Sequence, residues 1–386
     1  MTIDLEALCS EIDAAARGVE AAIGAGATED ERSRRALAFL AERGWLGWAV
    51  PERWGGAAAE GLCAPDEVSV RALCALRRTL ARREGLLDLA LVEQGLGSYA
   101  IARAGSDDLK GAVLPEVAAG RRVAAFALTE DEAGSDLSRV GTRATRREGG
   151  WSVAGIKTYI TNAGIADEYT LLARAEGEPG DRGGLVMLRI PATALGLEVR
   201  RFEVMAPHPI GEVVLNDVLV PDEDQLGEVG EGMDLALSVL ARFRTSVAAA
   251  AVGFAQRALE ESVSRLQKRE QFGRPLSTQQ GLRFDLAEMD TRIRAAELLV
   301  DLAAELVDEG GDATQAVARA KLFATETASW VCDRAVQHHG GLGVRRGTVV
   351  ERLFREVRAL RIYEGTSEVQ KLILAKELLD RSREDS

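Results

Sequence analysis

Ten residues near the C-terminus, Arg361-Ile362-Tyr363-Glu364-Gly365-Thr366-Ser367-Glu368-Val369-Gln370, combine residue types that can do chemistry. One carboxylate precedes a glycine, then come two hydroxyls and a second acid, just after a helix-like run. Glu364 is the candidate catalytic base. A glutamate that merely ends a helix explains the same residues, so the stretch gains meaning only from the rest of the chain.

Four further stretches carry comparable signals. Phe126-Ala127-Leu128-Thr129-Glu130-Asp131-Glu132-Ala133-Gly134-Ser135-Asp136 runs a strand into a turn rich in backbone N–H groups, with hydroxyls at Thr129 and Ser135. Such a turn can bond the carbonyl-rich edge of a flat heterocycle, or simply cap a strand. In Lys157-Thr158-Tyr159-Ile160-Thr161-Asn162, a strand puts Tyr159 and Thr161 on one face. That pairs an aromatic for stacking with a hydroxyl for a ring edge; an ordinary half-buried strand has the same pattern. Arg269-Glu270-Gln271-Phe272-Gly273-Arg274-Pro275, with Gln280, ends a long helix and supplies arginines suited to phosphate, though a charged helix end and turn would look alike. Gln337-His338-His339-Gly340-Gly341-Leu342-Gly343 is a glycine-rich helix end where a cofactor can approach closely, and a C-cap is its sufficient structural reading. No G-x-G-x-x-G turn follows a strand and no Walker-type loop occurs, which excludes the ordinary dinucleotide and P-loop sites.

The elements that must hold these stretches change character twice. Up to about residue 121 the chain reads as helices, with apolar residues at three- and four-residue intervals such as Leu5, Leu8, Ile12 and Ala16. The Gly44-Trp45-Leu46-Gly47-Trp48-Ala49-Val50-Pro51-Glu52-Arg53-Trp54-Gly55-Gly56 corner breaks that pattern, either as a hydrophobic loop or as a ligand-facing one. Short β-branched runs at 123–128, 151–161, 168–175, 184–190 and 212–220, with turns between them, predict a small barrel or sandwich. From Gly232 long helices return. Leu235, Val239, Phe243, Val247, Phe254, Leu259, Val263 and Leu266 mark one side of a helix roughly 45 Å long. Ser277 with Gln280 and Asp312 with Gln315 mark two helix starts, 348–362 predicts a fourth helix, and 367–379 a last one. The division is therefore 1–121 helical, 122–225 β-barrel and 226–386 a four-helix bundle.

At 386 residues with 46% hydrophobic residues, the chain is long enough for two or three packed domains. A net charge of −13 argues against nucleic acid or an anionic membrane as main partner. No apolar run reads as a membrane span, and MTIDLEALCS lacks a signal-peptide pattern. Four scattered cysteines point to a reducing cytoplasm rather than a disulfide framework, and three histidines without paired cysteines argue against a metal site.

Taken together, these segments resemble the acyl-CoA dehydrogenase flavoprotein family. The resemblance rests on G-W-L-G-W-A-V-P-E-R-W-G-G, T-E-D-E-A-G-S-D, G-I-K-T-Y-I-T-N, R-E-Q-F-G-R-P, Q-H-H-G-G-L-G and I-Y-E-G-T-S-E-V-Q, in order across most of the chain. It implies a helical N-terminal domain, a middle β-barrel and a C-terminal four-helix bundle, FAD as cofactor, and a homotetramer or homodimer with FAD near the subunit interface. Phe126, Leu128 and Thr129 would hold the flavin's pyrimidine side, and Ser135 would face flavin and substrate. Tyr159, Ile160 and Thr161 would line the flavin ring. Arg269, Phe272, Gln280, Gln337, Gly340 and Gly341 would reach the FAD of a neighbouring subunit, with Thr366 and Glu368 contacting the same subunit's cofactor. Arg244, Tyr363 and Gly365 would meet substrate. Glu364 falls on the family's base, taking the α-proton of an acyl thioester while hydride leaves the β-carbon for flavin. Its backbone N–H and a ribityl hydroxyl would hold the thioester oxygen. The substrate implied is a small or medium acyl-CoA, the electron acceptor an electron-transferring flavoprotein.

The pattern departs in places. Asp131-Glu132 stands where the family more often has Pro-Gly, adding negative charge that disfavours a carboxylate-bearing substrate at that point. Ala241 replaces the acid that usually contacts the pantetheine arm, which favours the alternative of a carrier-protein-bound acyl group. A flavin oxidase or monooxygenase on the same fold is the other alternative. Val344 replaces a common aromatic, and Met205-Ala206-Pro207-His208-Pro209-Ile210-Gly211 is an unusual loop in which His208 reads as a surface residue. Arg352, Arg355, Arg358 and Arg361 recur every third residue, either as a salt-bridged helix face or as a docking patch for an acidic carrier.

Overall fold

The computed structural model describes residues 3–24 and 27–384. Six helices open the chain: α1 Leu5–Ala15, α2 Val19–Gly24, α3 Glu29–Ala41, α4 Val70–Arg83, α5 Gly85–Ala104 and α6 Asp107–Ala118. Helices α1, α3 and α6 start at side-chain caps from Asp4, Thr28 and Ser106. Thr28 Oγ1 accepts from Glu31 N at 3.3 Å while Glu31 Oε2 accepts from Thr28 N at 2.8 Å, a reciprocal box opening α3. The tryptophan corner after α3 turns on left-handed Gly44 (φ 70°) and Gly55 (φ 89°). It buries Trp45, Leu46, Ala49 and Val50, and packs Trp54 beneath the cations of Arg53 and Lys110. Those contacts make it a packing corner.

Eight strands follow: β1 Ala124–Ala127, β2 Arg143–Arg147, β3 Gly150–Thr161, β4 Glu168–Arg174, β5 Leu185–Pro191, β6 Leu197–Arg201, β7 Ile210–Pro221 and β8 Gln225–Leu226. They form one sheet in the order β6-β7-β3-β2-β4-β5-β8, with β1 parallel beside β4. Strand β2 carries no apolar alternation because most of its residues face outward, and β6 alternates only over Leu197-Glu198-Val199; the sequence reading omits both. Ala125, Ala144, Val153, Leu171, Leu188 and Val213 belong to one buried cluster, with Val199 packed against it, so strands along the whole sheet curl around a single core. The β3–β7 register shifts between Lys157 and Ile160. This bulge buries both Lys157 and Thr158 and leaves Tyr159 outward at φ 56°.

The remaining elements are α7 Gly232–Lys268, a two-stranded hairpin β9 Glu270–Gln271 and β10 Arg274–Pro275, then α8 Gln280–Asp308, α9 Thr314–His339, α10 Val349–Leu360 and α11 Ser367–Glu384. The Ser277–Gln280 capping box does not form. Leu276–Thr278 is instead a single tight turn in which Thr278 Oγ1 donates to Pro275 O at 2.8 Å, and α8 opens without a side-chain cap. At α9 the Asp312 carboxylate accepts from Thr314 N at 3.0 Å, while Gln315 turns away to Ile373 O. Helix α7 is long and apolar enough by composition to cross a bilayer, contrary to the sequence reading. Its alanine-rich run is apolar for a different reason: most of that window is buried inside the protein.

The chain groups into two compact units, each discontinuous in sequence. One comprises Ala21–Ser69 with Leu89–Phe243; the other comprises Asp4–Glu20, Val70–Asp88 and the chain from Arg244 onward. In the first, Gln94 of α5 donates to Val117 O and Arg122 O and accepts from Ala124 N at 2.9 Å, tying helix to first strand. In the second, α4 and α7–α10 share a core in which alanine is abundant, so the backbones pack close. A Cβ on Gly253 would lie 2.2 Å from Arg78 O, which shows how closely α7 and α4 approach.

Candidate active site

In the second unit, the turn joining α10 to α11 is fixed from several sides. Arg361 O accepts from Ser367 N at 3.1 Å. The Glu326 carboxylate of α9 accepts from Arg361 Nε at 2.8 Å and from Ser367 Oγ at 2.7 Å. Thr366 Oγ1 caps α11 by accepting from Val369 N at 3.2 Å. Within this frame Glu364 has φ 51° and Gly365 has φ 94°. A left-handed glutamate is uncommon and costs on the order of 1–3 kcal/mol, so the surroundings must hold it. Three side chains do so: Arg244 Nε of α7 donates to Glu364 O at 2.7 Å, while Lys321 Nζ of α9 and Gln370 Nε2 of α11 donate to Gly365 O at 2.5 and 3.0 Å.

The Glu364 side chain is left differently. Its Oε2 is buried and accepts no hydrogen bond. Burial raises the pKa of this carboxyl above the ordinary value, against the pull of the Arg77, Arg244 and Lys321 cations, and Asp88 adds to the rise. Arg77 is itself fully buried and bidentate to Asp88 at 2.7 and 3.0 Å, with its third contact on Ser246 Oγ. Burial works against the Arg77 charge, but Asp88 outweighs it and keeps the guanidinium protonated. A carboxyl with a buried, unpartnered oxygen, surrounded by three cations and held above its ordinary pKa, can take and release a proton.

Arg77, Asp88 and Lys321 are absent from the sequence reading, and Gln370 enters it only as the last residue of the 361–370 stretch. Their signal is present nonetheless: Arg77 lies between Leu73 and Leu80, and Lys321 between Val317 and Ala324, each a charge on an apolar stripe. Arg244, expected against substrate, holds the Glu364 carbonyl. Tyr363 is exposed, and Glu368 lies exposed in the first turn of α11.

In the first unit, the strand–turn at 126–136 and strand β3 are pinned together. Lys157, with no exposed surface, donates to Leu128 O at 3.0 Å and to Glu130 Oε1 at 2.7 Å. Thr158 N donates to Thr129 O at 2.9 Å. Glu130 also accepts from Gly141 N and Thr142 N at 2.7 and 3.0 Å. Burial pulls Lys157 down to about 8 against the Glu130 carboxylate, so it is charged at neutral pH. This anchoring leaves Tyr159 largely exposed, edge-on to Phe202 at 5.2 Å, with Thr129, Phe126 and Thr161 half-buried and Ser135 exposed. Leu128 and Ile160 are buried, so only their main-chain groups are available to a ligand. An outward aromatic on a strained residue, bordered by hydroxyls and strand-end backbone, suits a flat ring with a hydrogen-bonding edge, and in that respect fits FAD.

The other expected FAD contacts sit at exposed positions of the second unit. Phe272 (φ 53°) and Gly273 (φ 75°) form the tip of the β9–β10 hairpin, with Phe272 92% exposed. Arg269 and Gln280 flank that hairpin on the surface, and Gln337, Gly340 and Gly341 are exposed where α9 stops at left-handed Gly340. His208 is half-buried rather than on the surface, its Nδ1 2.7 Å from Ala206 O, because its loop folds over it. In the arginine series, Arg352 pairs with Glu20 and Glu84, Arg355 with Glu351 and Arg361 with Glu326. That is the salt-bridged reading of the series.

Residues 7–121, 125–218 and 230–379 match the family models described as acyl-CoA dehydrogenase N-terminal, middle and C-terminal domain. The chain is 35% identical to an acyl-CoA dehydrogenase of Bacillus subtilis over 91% of both chains. It superposes on butyryl-CoA dehydrogenase from Megasphaera elsdenii with a TM-score of 0.89 at 30% identity, covering 98% of this chain and 99% of the other. It also superposes on the FAD complex of PigA with a TM-score of 0.84 at 25% identity, covering 99% and 100%. The order of elements, the strand–turn that suits a flavin and the matches in all three segments agree: the chain belongs to the acyl-CoA dehydrogenase family and is an FAD-dependent oxidoreductase.

Proposed function

We propose that this enzyme dehydrogenates a small or medium acyl thioester at its α,β-bond, with Glu364 as the base. The observation that carries the reading is the Glu364 carboxylate: Oε2 is buried without a partner, on a backbone locked by Arg244, Lys321 and Gln370. The α-hydrogen of a thioester is weakly acidic, so its removal needs a base of raised pKa held in place and a donor for the enolate oxygen. Glu364 takes the α-proton, and its own backbone N–H donates to the thioester oxygen. Bound FAD supplies the two-electron acceptor for the β-hydride, so that one proton and one hydride leave and an enoyl thioester forms. Phe126, Leu128, Thr129, Ser135, Tyr159, Ile160 and Thr161 would bind that cofactor in the same chain. Arg269, Phe272, Gln280, Gln337, Gly340 and Gly341 would serve a neighbouring copy in a cytoplasmic dimer or tetramer. An electron-transferring flavoprotein would reoxidise it.

The test is Glu364→Gln. The variant should retain FAD, yet bleach it with acyl-CoA about 10²–10⁴-fold more slowly. Turnover within a few-fold of the parent would remove the assignment.

A carrier-protein-bound acyl group is the second reading, favoured by one observation. Ala241 is exposed on α7, so that position offers no carboxylate to a pantetheine arm. Flavin bleaching by matched acyl-CoA and acyl-carrier-protein substrates separates the two.

A further inference from the structure

Of the three side chains that hold the Glu364–Gly365 backbone, Lys321 does more than simple anchoring requires. It has no exposed surface, and a lysine is among the residues least often buried. Its ammonium reaches Gly365 O at 2.5 Å, a carbonyl that already accepts from the neutral amide of Gln370 at 3.0 Å. If holding that carbonyl were the whole task, a second neutral donor would do so without the cost of a buried charge. What Lys321 adds is a cation beside Glu364, whose backbone and whose neighbour's backbone are both left-handed.

We propose that Lys321 is a positioning residue for the base. From α9 it holds the Gly365 carbonyl, and with it the left-handed turn, while its charge favours the ionised Glu364 carboxylate. The proposal rests on Glu364 being the base. Glu364 is faced by Arg77 from α4, Asp88 from α5, Arg244 from α7 and Lys321 from α9. Lys321 in turn is faced by Glu364, Arg244, Glu326 and Glu368. Burial pulls Lys321 down to about 8, with Glu364 opposing that fall, so it carries its charge at neutral pH. The two roles are separable. A glutamine at this position keeps a donor but no charge, and a methionine keeps the stem but neither.

The experiment compares Lys321→Met, Lys321→Gln and Glu364→Gln in the FAD-loaded enzyme. Butyryl-CoA and octanoyl-CoA are the probes, and amide hydrogen exchange across residues 361–370 is followed in parallel. Lys321→Met should keep its FAD, exchange the turn amides about tenfold faster, and lose about 10–10²-fold in kcat with little change in KM. Its acid limb should move to higher pH, because a cation that lowers the Glu364 pKa is gone. Lys321→Gln should keep most of the exchange protection and still show the displaced limb. A Lys321→Met enzyme with parental exchange and an unmoved limb overturns the proposal. So do variants that lose activity only in step with FAD loss and unfolding. Near-normal turnover in Glu364→Gln removes the base reading whatever Lys321 does. An inactive Glu364→Gln beside a parental Lys321→Met removes the Lys321 proposal alone.

Discussion

Lys157→Met is the perturbation whose size follows most directly from the geometry. Lys157 is completely buried and Glu130 has only 11% of its side chain exposed, so the substitution leaves a carboxylate without its cation in the interior. Removing one partner of a buried pair costs about 3–5 kcal/mol. Glu130 retains two backbone donors, Gly141 N at 2.7 Å and Thr142 N at 3.0 Å, which places the loss at the lower end, about 3 kcal/mol. The freed Leu128 carbonyl and the loosened 128–130 backbone belong to the strand–turn that suits the flavin edge. FAD affinity should therefore fall by at least about tenfold, or 1.4 kcal/mol. Urea denaturation measures the first effect and FAD titration of the apoprotein the second. Adding Glu130→Gln should recover part of the stability, because no charge is then stranded. A single variant within about 0.5 kcal/mol of the parent and with parental FAD affinity would refute the pinning argument.

Three further outcomes follow from other buried contacts. Because burial raises the Glu364 pKa, kcat should rise with pH through a midpoint above the ordinary carboxylate value, as a pH–rate profile will show. A raised folded pKa also means that the ionised form is disfavoured in the fold. That penalty is absent below the unfolded pKa and full above the folded one, so Glu364→Gln should melt higher than the parent at pH 7 and lose this advantage in acid. Gly97→Ala should destabilise the first unit by about 1–3 kcal/mol in urea, since the new Cβ would lie 2.5 Å from Ala125 N and 2.7 Å from the Ala124 carbonyl carbon. Backbone cannot yield there, and an unchanged midpoint would show that α5 and β1 are not so tightly joined.

Much of the architecture was legible from residue order. Apolar spacing of three and four marks the opening helices and α7–α11, because a helix must bury one stripe to be stable. Alternating and β-branched runs gave β3, β4, β5 and β7, whereas β2 escaped because outward residues such as Arg146 and Arg147 carry no such pattern, and β6 because its alternation is only Leu197-Glu198-Val199. Glu364 could be singled out from its neighbours in the motif, as could the strand–turn at 126–136 and the Tyr159 strand. The bulge that sends Tyr159 outward could not, since register belongs to the pairing of β3 with β7. Nor could the true opening of α8, where a proline turn displaced the box written at Ser277 and Gln280.

By itself, then, the sequence determined the helix–strand–helix order, the family's motifs and the identity of the acid before Gly365. Those are local properties, carried by periodicity and by short runs of residues. Only the tertiary structure decided what surrounds Glu364. Arg77, Asp88, Arg244 and Lys321 lie 287, 276, 120 and 43 residues away along the chain, and packing alone gathers their charges around one carboxylate. The burial that raises its pKa and the carbonyl contacts that fix its backbone likewise exist only once those helices have closed on one another.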